Sequence, residues 1–415
     1  MSIVEKAEKC LKYPLCDHCL GRQFGQLLSG FTNEERGKTI RKLVAMSLDK
    51  QKGAETHTHQ FSDIDMSNFS GFLFHSLDTA RIENDKTSVY LCMLCNGLFN
   101  KLDAIAKKAV NAVKNYEFST FLMGTKLSFE LAQREEDFWE KVGIEHCEPL
   151  KAELNREIGK RVEKLTGAKF DAKQPNVNII IDLEENKIAL EINPLFIYGE
   201  YQKLIRGIPQ TKWPSGKYKT SVEQIIAKPF MVATKGKAHK FHGAGREDID
   251  ARCLGWRPFV LEITKPKKRT IDLKKLSKLI DTKKIRVRNI AFSSVNEMRK
   301  VKESRADKTY ACIVECEKIT KGDLEKLKIA QINQRTPQRV MHRRADLLRK
   351  RNVKSLQAKY VNSKKFILTV KTDAGLYVKE LISGDNGRTH PSISELLNQK
   401  CTCKDLDVIE IDWKK

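Results

Sequence analysis

His242–Thr264 reads HGAGREDIDARCLGWRPFVLEIT. Its first four residues, His242-Gly243-Ala244-Gly245, are small and flexible enough to bring backbone close to a ligand. Arg246–Arg252 then packs five charges into seven positions. Arg257-Pro258 leads into the apolar run Phe259–Ile263, which predicts a buried strand. A charged loop anchored on a core strand is a common way to present catalytic groups. On charge alone, a solvated turn between two strands fits equally well.

The rest of the chain narrows the choice. At 415 residues it is long enough for two or three domains, each with its own core. Lys and Arg number 77 against 53 Asp and Glu, a net charge of +24. So large an excess favours a polyanionic partner, nucleic acid or an acidic membrane. No apolar run approaches the ~18 residues of a membrane helix. The opening MSIVEKAEKC lacks the apolar core of a signal peptide. The expectation is a cytoplasmic protein whose partner is nucleic acid, with no membrane. In that reducing compartment the 11 cysteines are expected as thiols or metal ligands.

Upstream of the opening stretch, two Cys-x-x-Cys pairs stand out, Cys16/Cys19 and Cys92/Cys95. Together they supply the four thiolates of a tetrahedral structural zinc site. The 72 residues between the pairs exceed a zinc ribbon's usual gap. Cys92 also fits a small buried residue in the run Tyr90–Cys95, and a redox pair is a further reading. His18, His57, His59 and His75 suit surface or packing roles better than metal ligation. Residues 50–70 are polar and predict a loop. Leu154, Ile158, Val162 and Leu165 recur at helical spacing, with Gly167 placed as a cap. Val177–Asp182 and Lys187–Ile192 predict two strands about a Glu185-Asn186 turn. Tyr198–Gln210 interleaves aromatic and basic residues, a pattern that stacks bases and grips phosphates. The same pattern fits a strand with a solvated basic face. Lys212–Gly216 reads as a linker.

Downstream, Leu273, Leu276, Leu279 and Ile280 predict an amphipathic helix. Strands are expected at Ile285–Phe292, Tyr310–Cys316, Phe366–Val370 and Leu406–Ile411, so the third block reads as α+β with a mixed sheet. Residues 333–352 carry seven Lys/Arg with Asp346 as their one acid. Arg343 and Arg344 lie at the centre of this element, which suits RNA backbone. A solvated helix is the plainer alternative, but solvated helices usually mix charges of both signs. Lys265–Arg269, KPKKR, is a second phosphate patch, expected on a loop flanking the site. Gly375–Leu381, GLYVKEL, fits an ordinary amphipathic helix with Lys379 in water.

Gly245-Arg246-Glu247-Asp248 resembles the Gly-Arg-x-Asp signature of pseudouridine synthases, in which the Asp is the essential carboxylate. The wider run HGAGREDIDAR, followed by GWRPFVLEI, is similar to one branch: the archaeal tRNA pseudouridine-54/55 synthase family and its eukaryotic relatives. The resemblance extends over nearly the whole chain, including Gly21–Gly25, to which no physical role is assigned. It implies an α+β fold with three parts: an N-terminal zinc-binding region over 1–102, a THUMP-like α/β RNA-binding domain over 103–225 containing Arg206-Gly207-Ile208-Pro209-Gln210, and a pseudouridine synthase catalytic domain over 226–415. That last domain has a mixed, mostly antiparallel sheet. By the resemblance Asp248 is the catalytic carboxylate, although Glu247 and Asp250 are alternatives within this loop. Arg246 fills the space of a flipped base or grips a phosphate. Gly375–Leu381 matches a C-terminal motif whose basic residue, here Lys379, pairs with the Asp, while Leu381 packs under the base. Tyr310 stacks on the target base and assists proton removal at C5. Cys16, Cys19, Cys92 and Cys95 hold zinc, and no organic cofactor is called for.

The expected function is isomerisation of uridine 54, uridine 55 or both in the T-arm of tRNA, with no obligate protein partner. Two other classes compete. Another THUMP-type enzyme that methylates tRNA calls for a Gly-rich loop directly after an apolar strand. Gly243-Ala244-Gly245 instead follows the polar Lys235–Lys240. A nucleotide-using thiolation enzyme calls for a phosphate-binding loop, and no Gly-x-x-x-x-Gly-Lys-[Ser/Thr] is present. A non-catalytic tRNA-binding or chaperone protein fits the composition just as well. Only the Asp248 and Lys379 motifs oppose it.

Overall fold

The computed structural model describes residues 1–51, 63–74, 91–280 and 282–413. His57, His59, His75 and most of the expected 50–70 loop lie outside the described residues. The chain forms two compact units, Met1–Asn193 and Pro194–Lys415. Among the described residues no helix is long and apolar enough to cross a membrane.

The first unit is built on a four-stranded sheet. Its strands are β1 (Thr120–Lys126), β2 (Lys169–Phe170), β3 (Val177–Asp182) and β4 (Lys187–Ile192), in the order β2-β1-β3-β4. β1 is parallel to β2 and β3, so the chain crosses over through the helices Phe129–Val142 and Leu150–Thr166. Leu150, Leu154, Ile158 and Val162 recur every fourth residue and are almost wholly buried, giving the second helix one apolar stripe. Gly167, at φ 73°, ends it by donating its N–H to the Glu163 carbonyl. β3 and β4 form the expected hairpin. The Asp182 carboxylate accepts from the N–H groups of Glu184 and Glu185 in the turn. The same core takes in the N-terminal helices and Cys19, Cys92 and Cys95.

The second unit holds one mixed sheet. In chain order its strands are β5 (Leu195–Lys203), β6 (Ala238–Gly243), β7 (Arg252–Thr264), β8 (Ile285–Ser293), β9 (Lys308–Cys316), β10 (Gln331–Arg335), β11 (Leu348–Asn362), β12 (Lys365–Thr372), β13 (Thr389–His390) and β14 (Cys401–Ile411). The order is β13-β10-β11-β12-β9-β14-β7-β5-β8, with β6 also on β7. Of these pairs β14 with β7 is parallel and the others are antiparallel. Phe259, Val260, Leu261 and Ile263 of β7 are fully buried, as an apolar run interrupted at Glu262 alone predicts.

Two expectations and one alternative reading change. Tyr198–Lys203 does not close the 103–225 block, because it lies in β5, paired with β7 and β8 of the second unit. Tyr198 and Tyr201 are fully buried there, so neither is free to stack on a base. Residues 333–352 are not a helix. Arg335 lies on β10, Arg349, Lys350 and Arg351 follow one another on β11, and Arg339, Arg343 and Arg344 lie in the connection, which contains the short turn Gln338–Arg343. The KPKKR patch follows the far end of β7, eight residues beyond Arg257, about 26 Å at ~3.3 Å per strand residue. It does not flank the loop at 244–251.

One edge of β7 changes partner. β6 pairs with it at Phe259–Thr264, and β14 pairs with it at Arg252 and Cys253. Gly255 lies between. A Cβ there would come within 2.9 Å of the Glu410 backbone, so only glycine admits the crossing strand. The 244–251 loop leaves β6 and re-enters β7 at this fork.

Candidate active site and metal centre

The loop between β6 and β7 is fastened from beneath. The Glu247 side chain is fully enclosed and pairs with Arg257 Nε at 3.0 Å. Tyr201 Oη donates to it at 3.0 Å, and Lys203 Nζ lies 3.8 Å away. Arg257 also donates to the Ala244 carbonyl at 2.7 Å. Lys203 donates to the carbonyls of Ile208, Asp248 and Ile249. Gln210 bridges Tyr201 Oη and the Gly245 carbonyl, each at 2.9 Å. Gly245, at φ +73°, makes the turn, a backbone region that L side chains adopt only at a cost. The loop's shape therefore comes from its own Gly245 and Glu247 together with buried partners on β5 and β7.

Asp248 is raised above this base with a third of its side chain exposed. Arg339 Nη2 lies 3.3 Å from one of its oxygens and Lys379 Nζ 3.5 Å. Lys379 is closer to Asp250, at 2.7 Å. Burial works to raise the Asp250 carboxyl, but the Lys379 hydrogen bond and charge outweigh it and hold the group below its ordinary range. Burial likewise lowers Lys379, and its carboxylate partners outweigh that and raise it. Arg339 is itself steered by Glu380, to which its Nε donates at 2.6 Å. Gln334 of β10 clamps the turn that delivers Lys379, its amide accepting from Tyr377 N and donating to Tyr377 O.

These groups open onto a cleft of about 500 Å³ lined by Arg246, Asp248, Tyr310, Arg344 and Lys379, among others. Tyr310 lies along its wall, and burial pushes the phenol up to about 12, so the ring is neutral at ordinary pH. Arg246 and Arg344 are exposed at the edge. The Arg343 side chain lies outside the described residues. Leu381 does not line the cleft: it is fully buried in the core, because Lys379, two residues earlier on the same short helix, takes the side facing Asp248. Leu376 and Val378 are the apolar residues of that segment on the cleft. Sequence reading missed Arg339 as a partner of Asp248, since 91 residues separate them. It also missed Lys203 and Arg257 as buried cations. Each sits in a strand beside buried aromatic residues, Tyr201 for Lys203 and Phe259 for Arg257.

Four sulfurs converge in the first unit. Cys16, Cys19, Cys92 and Cys95 place their Sγ atoms within 4.8 Å of one another, with Cys16 and Cys95 3.7 Å apart. A tetrahedral ion with ~2.3 Å bonds to sulfur separates its ligands by about 3.8 Å. Cys16 caps the helix Asp17–Gly21, and the Cys92–Cys95 turn closes through Asn96 N to Cys92 O. Arg22, fully buried, interacts with Cys19 and pairs with Glu135, while its Nε and Nη2 lack hydrogen-bond acceptors. A buried cation with spare donors beside these sulfurs fits a metal held by four thiolates, whose net charge is negative. His18 is no ligand: its ring stacks on Phe99 at 4.2 Å and bonds Glu153 at 2.8 Å.

Comparison with known proteins places this arrangement. The family described as Pus10, C-terminal, matches residues 196–412, and the archaeal Pus10 THUMP domain matches residues 105–182. The tRNA pseudouridine synthase Pus10 of Methanocaldococcus jannaschii is 41% identical, covering 96% of this chain and 92% of that one. The protein of the same name from Pyrococcus furiosus is 40% identical, covering 99% and 98%. Among solved structures, a Cbf5-Nop10-Gar1 complex overlays 50% of this chain and 47% of its own at 15% identity, with a TM-score of 0.31.

Proposed function

The chain belongs to the Pus10 family, and on that premise we propose that it is a tRNA pseudouridine synthase that isomerises uridine 54, uridine 55 or both in the T-arm of its substrate. The observation that carries this reading is Asp248. It stands at the mouth of a cleft on a loop locked by buried ions, between two cations and beside Tyr310. In this reading Asp248 is the carboxylate that assists cleavage of the N-glycosidic bond. Lys379 and Arg339, 3.5 and 3.3 Å from its carboxylate, hold it in place as fixed counter-charges. Tyr310 holds the base, and Arg246, Arg343 and Arg344 take the RNA backbone. Asp250 shares Lys379 but is largely exposed, which suits it to hold Lys379 in place. The four cysteines hold one structural zinc, and no organic cofactor is required. The other seven cysteines are free thiols, which agrees with a cytoplasmic setting.

Unmodified tRNA incubated with the purified protein should gain pseudouridine at one or both positions in position-resolved mapping. Asp248→Asn should abolish product while tRNA affinity stays within about threefold, because phosphate contacts supply most of the binding. Product from Asp248→Asn at the wild-type rate would overturn the catalytic assignment. Tight binding with no product from the wild type would favour a non-catalytic tRNA-binding role.

A further inference from the structure

Three cations are buried at the base of the cleft: Lys203, Arg257 and Lys308, respectively 0%, 1% and 9% exposed. Among the described residues Glu247 is the carboxylate paired with the first two, and Lys308 is in no ion pair. Lys308 Nζ makes one hydrogen bond, to the Ala306 carbonyl at 3.0 Å. An ammonium has three donors, so two remain. Lys308 lines the cleft with Tyr310, two residues on along β9 and on the same strand face. Its Cε lies 3.8 Å from where a Cβ on Gly245 would stand, placing it beneath the Asp248 loop. A buried cation without an acid is costly. Such a group is kept where a ligand supplies the anion.

We propose that Lys308 is a further catalytic residue, whose free N–H donors stabilise the negative charge that develops on the uracil oxygens when the base is released. This rests on the isomerase reading above. In that reaction the N1–C1′ bond breaks with its electron pair leaving on the base. A C5–C1′ bond then forms, C5 gives up a proton, and N1 takes one up, so nothing is consumed. The detached base is therefore anionic for part of the cycle, and a preorganised donor in a water-poor site favours that state over the neutral substrate. Phosphates are better matched by Arg246 and Arg344, exposed at the edge, than by a single enclosed ammonium.

The charge on Lys308 depends on pH. Burial, reinforced by Arg257, lowers it to about 8, with Cys253 and Asp307 acting the other way. Asp307 is itself engaged by Lys354. Its strand partners Thr372 and Ile411 carry no charge, and Tyr310 is neutral. Turnover that needs the ammonium should thus fall as pH rises past about 8.

The test compares Lys308→Met and Lys308→Arg with the wild type in single-turnover pseudouridine formation, tRNA binding and thermal melting. Lys308→Met should slow turnover on the order of 100-fold, as loss of one preorganised donor does. Its tRNA affinity should stay within about threefold. Its Tm should hold or rise, since an unpaired buried charge has been removed. Lys308→Arg, charged at every accessible pH, should recover part of the rate and lose the alkaline decline. Three results overturn the proposal: Lys308→Met turnover near wild type, weakened tRNA binding with an unchanged rate, or a lowered Tm that accounts for the loss. A wild type that makes no pseudouridine overturns the isomerase reading and this assignment together. An active wild type whose rate Lys308→Met matches sinks the Lys308 role alone.

Discussion

Glu247 is fully enclosed, while the next residue, Asp248, keeps a third of its side chain in solvent. The two carboxylates look interchangeable in the sequence, and burial assigns them opposite tasks. Glu247 neutralises Arg257 and Lys203 and cannot reach a substrate. Removing one partner of a buried ion set costs about 3–5 kcal/mol, because the remaining charges stay desolvated. Glu247→Gln should therefore lower Tm by about 6–20 °C for a unit of this size, measurable by calorimetry. Asp250→Asn, at an exposed position, should leave Tm nearly unchanged and loosen Lys379. If Glu247→Gln melts with the wild type, the buried ions do not fasten the loop.

At the scale of elements, the decisive feature is the fork where β7 exchanges β6 for β14 along one edge. Strand and loop residues on both sides of it meet only because the sheet splits there. Gly245 turns the chain at that point with φ +73°, and a Cβ on it would meet Arg257 Nη1 at 3.4 Å. Gly245→Ala should cost about 1–2 kcal/mol in the left-handed conformation. Displacing Asp248 by about an ångström should cost on the order of 100-fold in turnover. A rate loss much larger than the stability loss, read from single-turnover kinetics beside melting, is the expected result. Equal losses would mean that the turn only folds and does not aim. Elements with strong periodicity were legible in advance, such as the helix Leu150–Thr166 and the β3–β4 hairpin. The basic run at 333–352 named no element in advance, since its charges divide between two paired strands and the turn that joins them and leave no apolar stripe to identify either form.

At the scale of the molecule, each unit gathers one cluster of chemistry-bearing side chains from distant segments. The first unit gathers four thiols from segments more than 70 residues apart in a shared core. If they hold zinc, metal analysis should find about one ion per chain, as a four-thiolate site requires. Such sites contribute on the order of 10–16 kcal/mol to folding, so chelation or Cys95→Ser should melt the first unit at a much lower temperature. A metal-free chain with unchanged melting would rule the centre out. The second unit gathers Asp248, Arg339 and Lys379 from segments up to 131 residues apart, as their numbers give.

The sequence by itself determined the chemistry on offer: two cysteine pairs, a charged loop with Arg246 and Asp248, a basic surface, and the resemblance that named their roles. It did so because ligand type, net charge and short motifs are local properties of the chain. Only the tertiary structure decided which groups act together. It moved 195–203 into the sheet of the second unit, buried Glu247 and exposed Asp248, and supplied Arg339 as a second cation. It withdrew Leu381 into the core and left Lys308 enclosed without an acid. These outcomes depend on strand pairing and on the balance between desolvation and ion pairing across the fold, which no stretch of neighbouring residues contains.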